Sequence, residues 1–249
     1  MYTRAGSEHD LNIMAKSRTT TAAVLLKLKA QADPKVRAAM ARFGVHVKKA
    51  HGISTPVLHK LAREIGTDHR LAQQLWTSGI HEARILAGMV DDPTEVTPQQ
   101  MERWARDFNA WDAVDGSCCH LFVFAAPAWR KALEWSRREP EYVKRAGFAL
   151  MAYLAVHDKQ APDAKFERLL LIIQRQATDE RNFVKKAVNW ALRQIGKRNW
   201  RLNRLAIRAA KQIRGMDSSA ARWVAADALR ELTSPAVQRR LSTRARSRA

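Results

Sequence analysis

The stretch Phe183-Val184-Lys185-Lys186-Ala187-Val188-Asn189-Trp190-Ala191-Leu192-Arg193-Gln194-Ile195-Gly196-Lys197-Arg198 carries apolar residues at intervals of three and four. That is the repeat of an amphipathic helix, which turns about 100° per residue. Phe183, Val184, Ala187, Val188, Ala191, Leu192 and Ile195 share one side, the side that builds a core. Lys186, Trp190, Arg193 and Lys197 fall within about 60° of one another on the other side. Two readings of Trp190 follow. Either it packs beneath a neighbouring helix and the cations are a solvated face, as the usual burial of large aromatics favours, or it stands among the cations as part of a working surface.

Outward from this segment the same period recurs, interrupted by short breakers. It predicts helices over 20–32, 34–43, 57–65, 68–76, 81–89 and 98–108, then 112–124, 128–137, 141–156 and 163–176. A last set covers 180–196, 201–214, 218–232 and 235–241. Sustained period-2 alternation and hairpin turns are missing, so strands are not expected. The expected fold is all-α, an α-solenoid or superhelix of stacked antiparallel HEAT-like helix pairs. Self-similarity at a fixed period is weak, and an irregular bundle fits the list as well. The expected organisation is a disordered extension over 1–19 (with Met14 as an alternative translation start), one helical-repeat domain over 20–238, and a basic disordered tail over 239–249.

Charge narrows the class of partner. Residues 181–249 hold 18 Lys and Arg against 3 Asp and Glu, so +15 of the chain's +20 sits in this segment. A concentrated basic surface is the footprint of a polyanion binder, most often nucleic acid. Hydrophobic residues make up 46% of the chain, enough for a substantial core. No apolar run approaches the ~20 residues of a membrane span, and the N-terminus has no secretory pattern. The two cysteines are adjacent, Cys118 and Cys119, which suits a reducing compartment and offers no zinc spacing. A cytoplasmic, nucleoid-associated monomer with no metal site is the expectation. Phosphate loops, dinucleotide fingerprints, nucleophile elbows and zinc-protease motifs are all missing.

Three positions carry candidate chemistry. In Asn109-Ala110-Trp111-Asp112-Ala113-Val114-Asp115, Trp111 and Asp115 lie four apart on one helix face. A structural account serves as well, with Asp112 as cap and Asp115 at N3, both favoured by the helix dipole. Arg145 opens a run to Val156 with no other charge, in a row with Ala149 and Ala152. A guanidinium there requires an anion, either a carboxylate or a phosphate.

Trp111-Asp-Ala-Val-Asp115, Val143-Lys-Arg145-Ala and Phe183-Val-Lys-Lys-Ala-Val-Asn-Trp190-Ala-Leu-Arg193 resemble, in that order, three motifs of the AlkD-type DNA alkylation-repair glycosylases. Met40-Ala-Arg-Phe43 followed by Gly52-Ile-Ser-Thr-Pro56 is similar to that family's N-terminal signature. The resemblance implies a HEAT-like superhelix holding alkylated duplex DNA, with hydrolysis of the N-glycosidic bond of cationic N3- or N7-alkylpurines. It implies Asp115, Trp111, Trp190 and Arg145 as the catalytic cluster and needs no metal or organic cofactor. Lys185, Lys186, Arg193, Lys197 and Arg198, with Arg145, are the expected phosphate contacts. The chain departs from the family at Phe43, where a tyrosine is commoner and whose missing hydroxyl implies the loss of one polar contact, and at Ala110, where a second tryptophan can stand, which implies a less aromatic cleft there. Two other readings remain: a non-catalytic HEAT-repeat nucleic-acid binder, and a scaffold whose basic face meets an acidic protein.

Overall fold

The computed structural model of the protein describes residues 19–246. Among these residues are fourteen α-helices, one short 3₁₀ turn and no strand. The first seven helices are α1 (Thr21–Ala30), α2 (Pro34–Arg42), α3 (Thr55–Ile65), α4 (His69–Thr77), α5 (His81–Val90), α6 (Pro98–Arg106) and α7 (Trp111–His120). After the 3₁₀ turn Phe122–Phe124 come α8 (Ala128–Trp135), α9 (Glu141–His157) and α10 (Asp163–Gln176). The last four are α11 (Asn182–Gly196), α12 (Trp200–Arg214), α13 (Ser219–Leu232) and α14 (Pro235–Arg246).

Local chemistry sets many of the starts. Side chains of Thr20, Asp33, Asp68, Thr97, Asn199 and Ser218 accept from backbone N–H groups in the first turns of their helices, satisfying donors that have no partner within the helix. Prolines occupy the first turns of α2, α3 and α6, where the missing N–H costs nothing.

The helices stack in two rows. α5, α7, α9, α11 and α13 follow one another as a continuous front row, each packed on the next. α4, α8, α10 and α12 back onto it, and α10 also lies beside α12. This is the predicted solenoid of antiparallel pairs. In the back row Trp76 and Trp104 stack at 4.0 Å between centroids, and Phe122 and Trp135 continue the ladder. At the centre lies α9, with Phe148, Leu150 and Met151 fully buried. Its Gly147 permits close approach to α8, because a Cβ there would stand 2.4 Å from the Ser136 nitrogen.

Two boundaries differ clearly from expectation: the helix expected over 112–124 ends at His120, and the last helix runs past 241. Residues 239–246, expected within a disordered tail, continue α14, because Val237 and Leu241 lie one turn apart and are both buried against the end of the stack. Residues 247–249 of that tail, and residues 1–18 with Met14, lie outside the described residues. No helix of the described chain is long and apolar enough to cross a membrane.

Candidate nucleic-acid interface and carboxylate cluster

Trp111, rather than Asp112, opens α7, with Ala110 at the cap position. Asp112 faces sideways, its Oδ2 lying 2.9 Å from His81 Nε2 and its Oδ1 accepting from the Ala113 N–H. Asp115 therefore stands beyond the first turn, where the helix dipole has faded and another partner is needed. Arg145 of α9 supplies it. Its Nε and Nη2 donate to Asp115 Oδ1 and Oδ2 at 3.0 and 2.6 Å, a two-pronged pair. Nη1 donates to the Phe183 carbonyl at 2.8 Å, in the first turn of α11. A single guanidinium thus joins three successive front-row helices.

The aromatic residues extend this core. The Arg145 guanidinium carbon lies 5.7 Å from the centre of the Trp111 ring, within cation–π range. The Trp111 indole N–H donates to the Phe43 carbonyl at 2.9 Å. Trp190 meets Tyr153 edge to face at 4.8 Å. Tyr153 lies near Cys119 and the Asp115 charge; burial, then these neighbours, push its phenol pKa upward, so the hydroxyl keeps its proton. Trp111, Arg145 and Asp115 form one connected set, and Tyr153 with Trp190 forms a second, on the same three helices α7, α9 and α11. Beside the first, Arg42, Phe43, Trp111, Arg145, Phe183 and Lys186 line a cleft of about 470 Å³.

Asp115 is the chemically poised member. The Arg145 side chain is 8% exposed, whereas that of Asp115 keeps 18% of its surface open. Burial raises the Asp115 pKa above the ordinary aspartate value; the charge and hydrogen bonds of Arg145 oppose this, and nearby Asp112 adds to it.

The family described as DNA alkylation repair enzyme matches residues 24–232. The chain belongs to that family. A solved structure described as "a new family of proteins related to the HEAT-like repeat DNA glycosylases with affinity for branched DNA structures" superposes with a TM-score of 0.70 at 18% identity. The superposition covers 83% of this chain and 93% of the other, and establishes the shared fold. No curated protein matches the sequence.

Within this DNA alkylation repair enzyme fold, the expected phosphate contacts separate into two groups. Lys186 is exposed at the cleft, and Lys185 lies 5.8 Å from the ring centre of the exposed Trp223. The others are engaged elsewhere. Arg193 pairs with Glu231 and Asp227 of α13, and Lys197 pairs with Glu231. Arg198 donates to the carbonyls of Ala155, Asp158 and Ala161, tying α11 to the end of α9. Arg145 gives its donors to Asp115 and Phe183, so the anion it binds is a carboxylate.

Other expectations are also revised. Trp190 is half-buried against the core, so neither of its two readings holds alone. At Phe43 the contact with Trp111 uses the backbone carbonyl, so a missing tyrosine hydroxyl does not remove it; the ring itself is 70% exposed. Ala110 is fully buried, so its side chain does not line the cleft. Tyr153 escaped the sequence reading although it extends the row Arg145, Ala149, Ala152.

Proposed function

We propose that this member of the DNA alkylation repair enzyme family is a DNA glycosylase. Its proposed reaction is hydrolysis of the N-glycosidic bond of cationic N3- or N7-alkylpurines in duplex DNA. One observation carries the reading: a partly open carboxylate, Asp115, fixed by a buried arginine and bordered by aromatic side chains beside a cleft that Lys186 enters.

The chemistry suits those groups. An alkylated purine bears a formal positive charge and leaves as a neutral base, so positive charge develops on C1′ and O4′ of the sugar. A preorganised carboxylate stabilises that charge and accepts a proton from the water that adds to C1′. Each Asp115 oxygen has a second lone pair beyond the one Arg145 occupies. The faces of Trp111 and Trp190 attract the same cation, at about 0.5–2 kcal/mol each. Lys186 and Lys185 contact flanking phosphates, which sets register without reading sequence.

A second reading is a family member that binds DNA without cleaving it. The structural neighbour with affinity for branched DNA favours it. Incubation with N-methylpurine-treated duplex separates the two. Free 7-methylguanine is the expected product; its absence, together with tight binding of a four-way junction, would replace the first reading by the second.

A further inference from the structure

The back row carries a second cationic surface. On α12, Arg201, Arg204, Arg208 and Lys211 are all exposed and recur at three, four and three. At about 100° per residue they occupy an arc of roughly 80°. The opposite side of the helix holds Leu202, Ala206, Ala209, Ala210 and Ile213, all buried. That buried side packs on α11 and α13, so the core separates this stripe from the carboxylate cluster. α10 runs alongside, tied by Asp163 to Asn199, Glu167 to Arg201 and Gln174 to Gln212. It adds exposed Arg168 and Arg175.

A merely solvated face mixes both signs, because like charges three and four apart repel along a helix. α12 has no acidic residue, and Glu167 of α10 reaches Arg201, the first cation of the stripe. The run from Arg201 to Lys211 spans about 15 Å at the helical rise, long enough to meet several consecutive phosphates. A lipid surface would require a broad apolar stripe among the cations; here the exposed large apolar side chains are Leu171 of α10 and Trp200 at the start of α12, while Leu202, Ala206 and Ile213 are committed to the core. We propose that this α10–α12 face is a second binding site for the phosphate backbone of duplex DNA. The protein then holds two duplex segments, one at the front-row cleft and one at the back.

The test counts short duplexes bound per protein. With an unmodified 16-base-pair duplex at low salt, sedimentation should show two duplexes per chain at saturation. The variant Arg204→Glu/Arg208→Glu/Lys211→Glu should bind one. Loss of about three phosphate contacts should lower the summed slope of log K against log salt by about 2.7. The milder triple Gln variant, checked by circular dichroism, guards against a folding defect and should weaken the second step at least tenfold. Excision in the cleft is read separately and should persist in both variants. The stoichiometry stays decisive even if the chain proves to have no excision activity. One duplex per parent chain at saturation, or two per charge-reversed chain, overturns the proposal. Loss of binding to phosphatidylserine vesicles with unchanged duplex stoichiometry overturns it in favour of a membrane surface.

Discussion

Asp115→Asn tests the carboxylate and its support together. The substitution removes one charge of a pair whose other member, the Arg145 side chain, is 8% exposed. The amide keeps one acceptor for the guanidinium but turns an NH₂ toward the second prong, where two donors then face each other. Breaking a buried pair on one side typically costs about 3–5 kcal/mol. Asp115 keeps some solvent, and Arg145 retains the Phe183 carbonyl, so the low end, about 3 kcal/mol, is expected. For a chain of this size that lowers Tm by about 6–12 °C. The catalytic loss is separate: removal of one preorganised electrostatic contact costs about 10²–10³ in rate. Single-turnover excision of 7-methylguanine at 20 °C, normalised to folded protein, reads the second effect; thermal melting reads the first. The double variant Asp115→Asn/Arg145→Met should recover part of the stability, since the orphaned cation is gone, and none of the rate. Parent-like excision per folded molecule in Asp115→Asn refutes the catalytic role. An unchanged Tm refutes the energetic account of the pair.

Trp190→Ala should cost about 2 kcal/mol, less than the ~3–5 of a fully buried aromatic, and should slow excision of cationic adducts more than neutral ones; normal activity per folded molecule would assign Trp190 to packing with Tyr153 alone. Lys186→Ala should lower the salt slope of duplex binding by about one. Arg193→Ala should leave that slope unchanged and lower Tm, because its partners are Glu231 and Asp227; the reverse pattern in filter binding would place Arg193 on DNA. Excision should fall on the acid side as Asp115 takes up a proton, and this limb should lie above pH 3.8, the ordinary aspartate value. In Arg145→Gln the limb should move to higher pH, since the counter-charge that opposes protonation is lost; a pH–rate profile with an unmoved limb would show that another group titrates. Asp179, half-buried but held at about pKa 2 by hydrogen bonds from Arg181 and Lys144, lies below its unfolded value. Its stabilisation is present above pH ~4 and should fade toward pH 2, a loss that Asp179→Asn would no longer show in acid titration.

The helices were readable because their signals are local. Breakers, caps and a three-and-four period lie within a few residues of one another, and the ends shifted most at the C-termini of α7 and α14. At α7, Asp112 looked like the cap, but His81 takes one of its oxygens, and the helix begins a residue earlier. Trp111 and Asp115 were readable as a pair because four residues bring them to one face. Arg145 was readable as an anomaly because a lone charge in an apolar run needs an anion. Which anion was not readable, since Asp115 lies 30 residues upstream and only the packing of α9 on α7 brings it close. Tyr153 was hidden for a related reason. Its significance comes from Cys119 and Trp190 on neighbouring helices, and nothing in its own segment signals either.

The cations show the same principle acting in reverse. On α11 the stripe Lys186, Arg193, Lys197 appeared as one basic face, because a helical wheel counts only the charges of its own helix. Glu231 lies 38 residues beyond Arg193 and 34 beyond Lys197, and once α13 packs alongside, it pairs with both, while Asp227 brings a second carboxylate to Arg193. Lys186 escapes because its position is at the other end of the helix, next to the cleft. On α12 the cations stay largely uncompensated in the folded chain, since that helix has no acid of its own and Glu167 of α10 reaches Arg201 alone among the four. The excess charge of residues 181–249 is therefore not concentrated where Trp190 suggested. Much of the part that remains uncompensated lies on the back row, behind the core from the carboxylate. A protein whose DNA contacts were confined to the cleft would have no electrostatic reason to keep that distribution, because Debye screening of about 8–10 Å leaves such distant charges little influence on a duplex held at the front.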